Sequence, residues 1–388
     1  MRRTLTILFL FISISAFAQM DSLLYERSYQ LDSVRTGELS VELDNVSFFK
    51  DLEYDGALVT GYTLPGLWVQ PKLTYQPLNN LSLELGAHAL IFAGKLKYPN
   101  MGYQDIAKWK GGDYSEGTHI LPFFRANLQM GKVHIVLGDI YGGQNHHLIE
   151  PLYSRELNLT ADPEMGLQVL VDLKHWHLDA WVNWQSFIFK GDTHQESFIF
   201  GGNSELKFGR WTIPVQAVVQ HRGGEIQVDS AHHGVQTLIN AAIGGRYEAP
   251  VHTSWLTKIT GEAFFTYYLQ QSGSMWQIGS GFGAYARALI DFKPGIRVDL
   301  GYFRCQNYIP VLGDGHYSCT KLGNWSQTYR YPDIFSLGVE YSRSFAKYYA
   351  FGGRAELYYM NLKPRNPVDI NFGVFIKCNP HFLIKKFK

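Results

Sequence analysis

The side chains best placed for chemistry are histidines, carboxylates and guanidiniums at short spacing. His146 and His147 are adjacent, as are His232 and His233, and His175, His177 and Asp179 recur at every second position. On a strand that spacing puts all three on one face, where a His-x-His pair can chelate. Zinc, however, needs three or four donors converging at about 2.0–2.3 Å, and the chain has neither an H-E-x-x-H helix nor paired C-x-x-C motifs. The row therefore reads as a polar ladder, and no metal or other cofactor is expected. A serine–histidine hydrolase would be signalled by a G-x-S-x-G elbow and a phosphate enzyme by a glycine-rich cradle, and neither occurs. Gly279, Gly281 and Gly283 alternate at a strand start and read as permitting a bend. No enzyme is expected on these grounds. Cys305, Cys319 and Cys378 allow a Cys305–Cys319 disulfide across the base of segment 308–333 in an exported chain, or three unpaired buried thiols.

The elements that must hold these residues follow from composition and periodicity. The 388 residues are 46% apolar, 15% aromatic and 18% charged, against about 25% charged in an ordinary soluble domain. A disordered, collagen-like or coiled-coil protein is excluded. Met1, Arg2 and Arg3 form a positive start, residues 5–14 an apolar core, and Ala16-Phe17-Ala18 a small-x-small cleavage site. Cleavage after Ala18 leaves Gln19 first, and no cysteine follows to carry a lipid anchor. Without Arg2 and Arg3 the chain has 33 Lys+Arg against 34 Asp+Glu, which gives no electrostatic argument for a nucleic-acid partner. The polar segment 19–37 reads as a periplasmic lead-in and a candidate for disorder. Beyond the signal, no stretch of 18 apolar residues offers a transmembrane helix.

From residue 38 onward the sequence alternates with period 2. Leu81, Leu83, Leu85, Ala87, Ala89 and Ile91 share one face, with Ser82, Glu84 and His88 opposite; Phe335, Leu337 and Val339 alternate with Ser336, Gly338 and Glu340; Ile370, Phe372, Val374 and Ile376 alternate with Asn371, Gly373 and Lys377. Very short connections, as at Asn79-Asn80 and Gly131-Lys132, alternate with long ones such as 95–117, 143–164 and 308–333. A sandwich has no reason to alternate in this way, whereas a membrane barrel has short periplasmic turns and longer external loops. The pattern predicts an all-β, transmembrane, antiparallel up-and-down barrel over 38–388 with sixteen strands, fourteen or eighteen being allowed by the weak first strand at Asp44-Asn45. Closure is required because lipid leaves no partner for an open edge.

On this alternation the mature chain resembles a Gram-negative outer-membrane β-barrel, and its strand number is similar to that of the general porins. The resemblance is architectural and carries no catalytic or binding residue with it. It implies the outer membrane as location and its lipid as a partner, with a homo-oligomer possible. The Asn379-Pro380 break and terminal Lys388 depart from the usual aromatic ending. Inward-facing candidates are Arg125, Asp179, Glu205, Lys207, Arg246, Glu262 and Arg287; over the whole inward set acids and bases balance, so an ion-selective pore is not indicated. A balanced lumen is either a water-filled pore or a salt-bridged interior that closes it, and sixteen strands favour the pore. The third external loop, 144–165, carries Leu148, Ile149, Leu152, Tyr153, Leu157 and Leu159, too apolar for a solvated tip. In general porins the third loop folds inward, and this one resembles it; Glu150, Arg155 and Glu156 would then line the constriction. The expected function is passive diffusion of small hydrophilic solutes. The alternative is surface recognition of glycan or protein through loop aromatics such as Trp109, Tyr114, Trp325 and Tyr329. A barrel-embedded lipid hydrolase using a serine and a histidine ranks third.

Overall fold

The computed structural model describes residues 19–93, 117–187, 195–224, 234–251, 253–274, 276–321 and 324–387. The expected signal sequence and the rings of Trp109 and Tyr114 lie outside them. In chain order the strands are β1 (Glu38–Asp55), β2 (Thr60–Leu78), β3 (Leu81–Phe92), β4 (Gly117–Met130), β5 (Val133–Asp139), β6 (Met165–Asp172), β7 (Trp176–Ser186), β8 (Ser197–Phe208), β9 (Trp211–Arg222) and β10 (Gln236–Pro250). They continue with β11 (Leu256–Ser272), β12 (Ser280–Phe292), β13 (Ile296–Gln306), β14 (Thr320–Lys321), β15 (Asn324–Thr328), β16 (Asp333–Ser344), β17 (Tyr349–Asn361), β18 (Val368–Cys378) and β19 (His381–Lys386). Each barrel strand pairs antiparallel with its sequence neighbour, and β18 and β19 both return to β1, closing a sixteen-strand barrel in which β18 and β19 form one broken strand. Pro380 interrupts that strand because it has no N–H to donate, while its carbonyl still accepts from Leu43 at 3.1 Å. β14 and β15 make a separate small hairpin in the loop between β13 and β16.

The alternation places the faces. Phe335, Leu337 and Val339 on β16 and Ile370, Phe372, Val374 and Ile376 on β18 are exposed to the membrane side, while Glu340, Asp369 and Asn371 between them are buried inside. Asp44-Asn45 does not break β1. Asp44 faces inward, and Asn45 Nδ2 donates to the carbonyl of Trp68 at 2.8 Å.

Three segments occupy the interior. Residues 19–37, expected outside as a lead-in, enter the barrel. There the helix α1 (Met20–Tyr25) buries Met20 and Leu24, and a Cβ added at Gly352 of β17 would fall 2.8 Å from the Met20 sulfur. Residues 140–164 fold inward with a short helix, α2 (Leu157–Thr160), and bury Ile149, Leu152, Tyr153, Leu157 and Leu159. Residues 307–321 lie on them: the Ser154 N–H donates to the Leu312 carbonyl at 2.8 Å, the Asp314 N–H to that of Glu150 at 3.0 Å, and the Tyr308 hydroxyl to that of Pro151 at 3.0 Å. Buried apolar side chains are worth about 1.5–3 kcal/mol each, which is why these loops sit in the lumen rather than in solvent.

Gly201 of β8 faces Trp181 of β7, and a Cβ there would lie 2.0 Å from the indole ring. Gly201→Ala is expected to cost about 1–3 kcal/mol through overpacking, read as a lower midpoint of the heat-modified gel shift with the barrel still assembled. An unchanged midpoint would show that the indole has room to move.

Candidate functional site

The candidate constriction residues meet wall charges deep in the lumen. Arg155 projects from 140–164, where its Nη1 lies 2.8 Å from Glu356 of β17 and its Nη2 3.2 Å from Asp299 of β13. The same guanidinium contacts Glu150 closely and reaches Asp21 of α1 at 3.5 Å. Arg287 of β12 binds Asp299 at 2.8 Å through its Nε and comes within 3.6 Å of Glu150. Arg354 of β17 joins Asp21 at 2.7 Å and Glu340 at 2.9 Å. Glu150, Arg155 and Arg287 thus converge. Glu156, the next residue after Arg155, instead accepts from Lys50 of β1 and Tyr62 of β2.

The other inward candidates are paired along the wall. Arg125 lies 3.4 Å from Glu84 and donates to the carbonyls of Asp139 and Ile140 at 2.6 and 3.0 Å. Arg246 bridges Glu205 at 3.1 Å and Glu262 at 2.6 Å, and Lys207, with its side chain half exposed, lies 3.7 Å from Glu205. The balanced interior is therefore a set of ion pairs around a filled centre. It is not the open pore that strand number favoured, because the described residues of 19–37, 140–164 and 307–321 supply apolar and charged surface that occupies it.

Three buried histidines among the described residues are held by carboxylates. His146 is fully buried, with Nδ1 2.6 Å from Asp179 and Nε2 3.2 Å from Glu164, and its ring lies flat on Trp181 at 3.4 Å. His316, from 307–321, has Nδ1 2.7 Å from Asp314 and Nε2 3.2 Å from Asp369 of β18, and stacks on Tyr358 at 4.0 Å. Burial alone would lower both pKa values, but the paired carboxylates outweigh it and hold each at about 9, so both rings are cations at neutral pH. His177 of β7 has Nδ1 2.8 Å from Asp172, and its buried Nε2 has no hydrogen-bond partner. His175 is exposed at the β6–β7 turn, so the expected three-residue ladder is reduced to His177 and Asp179. Among the described residues no group of three or more His, Cys, Asp or Glu side chains could hold a metal ion.

Beside His316 lies a cavity of about 180 Å³ lined by Ser154, Arg155, Glu156, Asp314, Lys50 and Tyr358, among others. A second, of about 120 Å³, is lined by Trp68, His88, Arg125 and Glu164, and Tyr25 of α1 lines both. The first combines a fixed imidazolium, an ionised carboxylate and a hydroxyl in a partly enclosed space, the set that acid–base attack on an ester requires. Asp314 stays ionised because His316 and its own hydrogen bonds outweigh the burial that would raise it. Sequence reasoning missed Asp314, His316, Asp369 and Asp21. The signal available was Gly313-Asp314-Gly315-His316, an acid and a histidine two residues apart between glycines. Cys305 and Cys319 stand as buried free thiols, and burial pushes Cys319 up to about 12, where it is unreactive. Tyr329 is buried, with its N–H on the Cys319 carbonyl at 2.8 Å, so it is not an exposed recognition ring; Trp325 falls in β15.

Fold and interior together define a closed sixteen-strand antiparallel barrel whose lumen is occupied by segments of its own chain, a barrel fold shared with solved outer-membrane porins. A family model described as lipid A 3'-O-deacylase-type matches residues 31–387, and the chain belongs to that family. No curated protein matches the chain. Among solved structures it is similar to Salmonella typhi OmpF in complex with daunomycin, at 11% identity over 89% of this chain and 98% of that one, with TM-score 0.51. It is also similar to Pseudomonas aeruginosa OpdQ, at 9% identity over 88% and 99%, with TM-score 0.50. At such identities these likenesses speak for the fold alone. Membership of a deacylase-type family corrects the expectation that the protein is not an enzyme. That expectation rested on missing motifs, but those motifs belong to α/β folds, and a barrel wall assembles its site from distant strands.

Because the folded pKa of His146 lies above the unfolded value of about 6.5, its stabilising contribution is complete below that value and is lost as pH rises through about 9. The fluorescence of Trp181, taken as wild type minus Trp181→Phe, is expected to titrate with a midpoint near 9, and His146→Gln should abolish the transition. A flat profile between about pH 7 and 10 would show that His146 does not carry the charge.

Proposed function

We propose that this chain is a plugged outer-membrane barrel that hydrolyses an acyl ester of a lipid A-type glycolipid, in the cavity beside His316. The observation that carries the reading is the clamping of His316 between Asp314 and Asp369 at the wall of a cavity at the long-loop end of the barrel, in a chain of a deacylase-type family. Long connections face outward in barrels of this class, in keeping with a cavity on the side of the glycolipid leaflet.

The chemistry assigns roles within that cavity. Asp314, ionised and only partly covered, accepts a proton from an attacking water. As that water attacks the ester carbonyl, Asp314 passes the proton to the departing alcohol, so the ester and water become a fatty acid and a deacylated sugar hydroxyl, while the His316 imidazolium, with both ring N–H groups held by Asp314 and Asp369, keeps the Asp314 carboxylate charged and in place. Asp369 and the Tyr358 ring hold the imidazole in place. Filling of the lumen by 19–37, 140–164 and 307–321 speaks against free diffusion as the main role.

Mass spectrometry of lipid A incubated with the purified, detergent-folded protein is expected to show loss of one ester-linked acyl chain. His316→Ala and Asp314→Asn should each lower the rate by about 10²–10⁴-fold while the heat-modifiable band persists. Intact lipid A after prolonged incubation with folded wild type would overturn the reading.

A further inference from the structure

The outer edge of the barrel wall over β13 and β16 carries a second feature, on the membrane side rather than in the lumen. Tyr302, Phe335 and Tyr359 are outward rings from three neighbouring strands, with centroids 4.9 Å apart for Tyr302–Phe335 and 6.2 Å for Phe335–Tyr359. Leu300, Leu337 and Val339 continue the exposed face towards the short-turn end. Such a ring row followed by an apolar band marks the depth at which hydrocarbon gives way to headgroups.

Arg304 lies two residues beyond Tyr302 on the same outward face, about 6.6 Å further along the strand, at headgroup depth. Its side chain is 53% exposed, and Nη1 donates to Asp333 at 3.0 Å. Its guanidinium sits 5.8 Å from the centre of the Tyr331 ring, and that of Arg330 sits 5.2 Å from the same ring. Two guanidiniums are thus gathered on one exposed aromatic. Asp333, the carboxylate that holds Arg304, also accepts from the Tyr302 hydroxyl at 2.8 Å and from Asn361 at 3.4 Å. Its charge is spread over several donors and leaves the group net positive. Two guanidiniums gathered on one ring, beside hydrocarbon rather than open water, attract an anion.

We propose that Arg304, Arg330 and Tyr331 form a docking site for the phosphate of a glycolipid headgroup in the outer leaflet. Arg304 is held by Asp333 and offers its remaining N–H groups, Arg330 supplies the second fork, and the Tyr302–Phe335–Tyr359 row receives the upper part of the acyl chains. The lipid is favoured over free phosphate because the guanidiniums share one face with the ring row. The site goes beyond the hydrolytic reading and binds lipid whether or not the cavity beside His316 cleaves it.

The test is native mass spectrometry of the full-length folded barrel released from micelles doped with bisphosphorylated lipid A. Wild type is expected to retain a one-to-one lipid adduct, and Arg304→Ala with Arg330→Ala should lower its occupancy about tenfold or more. Arg330→Glu, which leaves the Arg304–Asp333 contact intact, should do the same and guards against misfolding of the double variant. His316→Ala should keep the adduct, so that failure of hydrolysis and failure of docking are read separately. Equal adducts in the arginine variants, or equal binding of lipid A stripped of phosphate, would overturn the proposal. Displacement of the lipid by millimolar inorganic phosphate would overturn the choice of a lipid over a free anion.

Discussion

The structure depends on one buried guanidinium. Arg155 reaches from 140–164 to carboxylates on its own segment, on the wall strands β13 and β17, and on α1. Without it, Glu150, Asp299, Glu356 and Asp21 would face one another with only Arg287 and Arg354 to offset them. Breaking a buried pair by removing one partner costs about 3–5 kcal/mol, because the charge left behind stays desolvated. Arg155 therefore ties the inward loop, the N-terminal segment and the barrel wall into one body. A barrel of sixteen strands would otherwise enclose an aqueous channel.

The same constraint creates the site. Once 140–164 is pinned, its backbone carries 307–321 through the Ser154–Leu312 and Asp314–Glu150 hydrogen bonds. That contact sets Asp314 and His316 against Asp369 of the wall. The cavity between them persists because its walls are ion pairs and stacked rings, which do not collapse as apolar side chains would. A rigid polar cavity near one rim is in keeping with the deacylase-type family to which the chain belongs.

Much of the barrel was legible because lipid imposes strict rules on it. Period-2 alternation placed Phe335, Leu337 and Val339 outward and Glu340 inward, and alternating connection lengths gave sixteen strands. The apolar residues of 140–164 announced a loop that could not remain in water. The use of the lumen was harder to read. Balanced acids and bases fit an open pore and a salt-bridged core equally, and only contacts between distant segments decide. The six residues of α1 are too short to stand out, and Trp181 sits on the otherwise polar face of β7, where its role as the platform for His146 shows only in three dimensions. The His316 site draws carboxylates from a loop and from a strand some fifty residues later, a spacing that no short motif encodes.

The central claim is that ion pairs around Arg155 keep the lumen closed. Single-channel recording of the folded protein in a planar bilayer with potassium chloride tests it most directly. Wild type is predicted to be electrically silent, and Arg155→Ala to show intermittent stepwise currents as 140–164 and 19–37 loosen. Steady porin-sized steps from wild type would contradict the account.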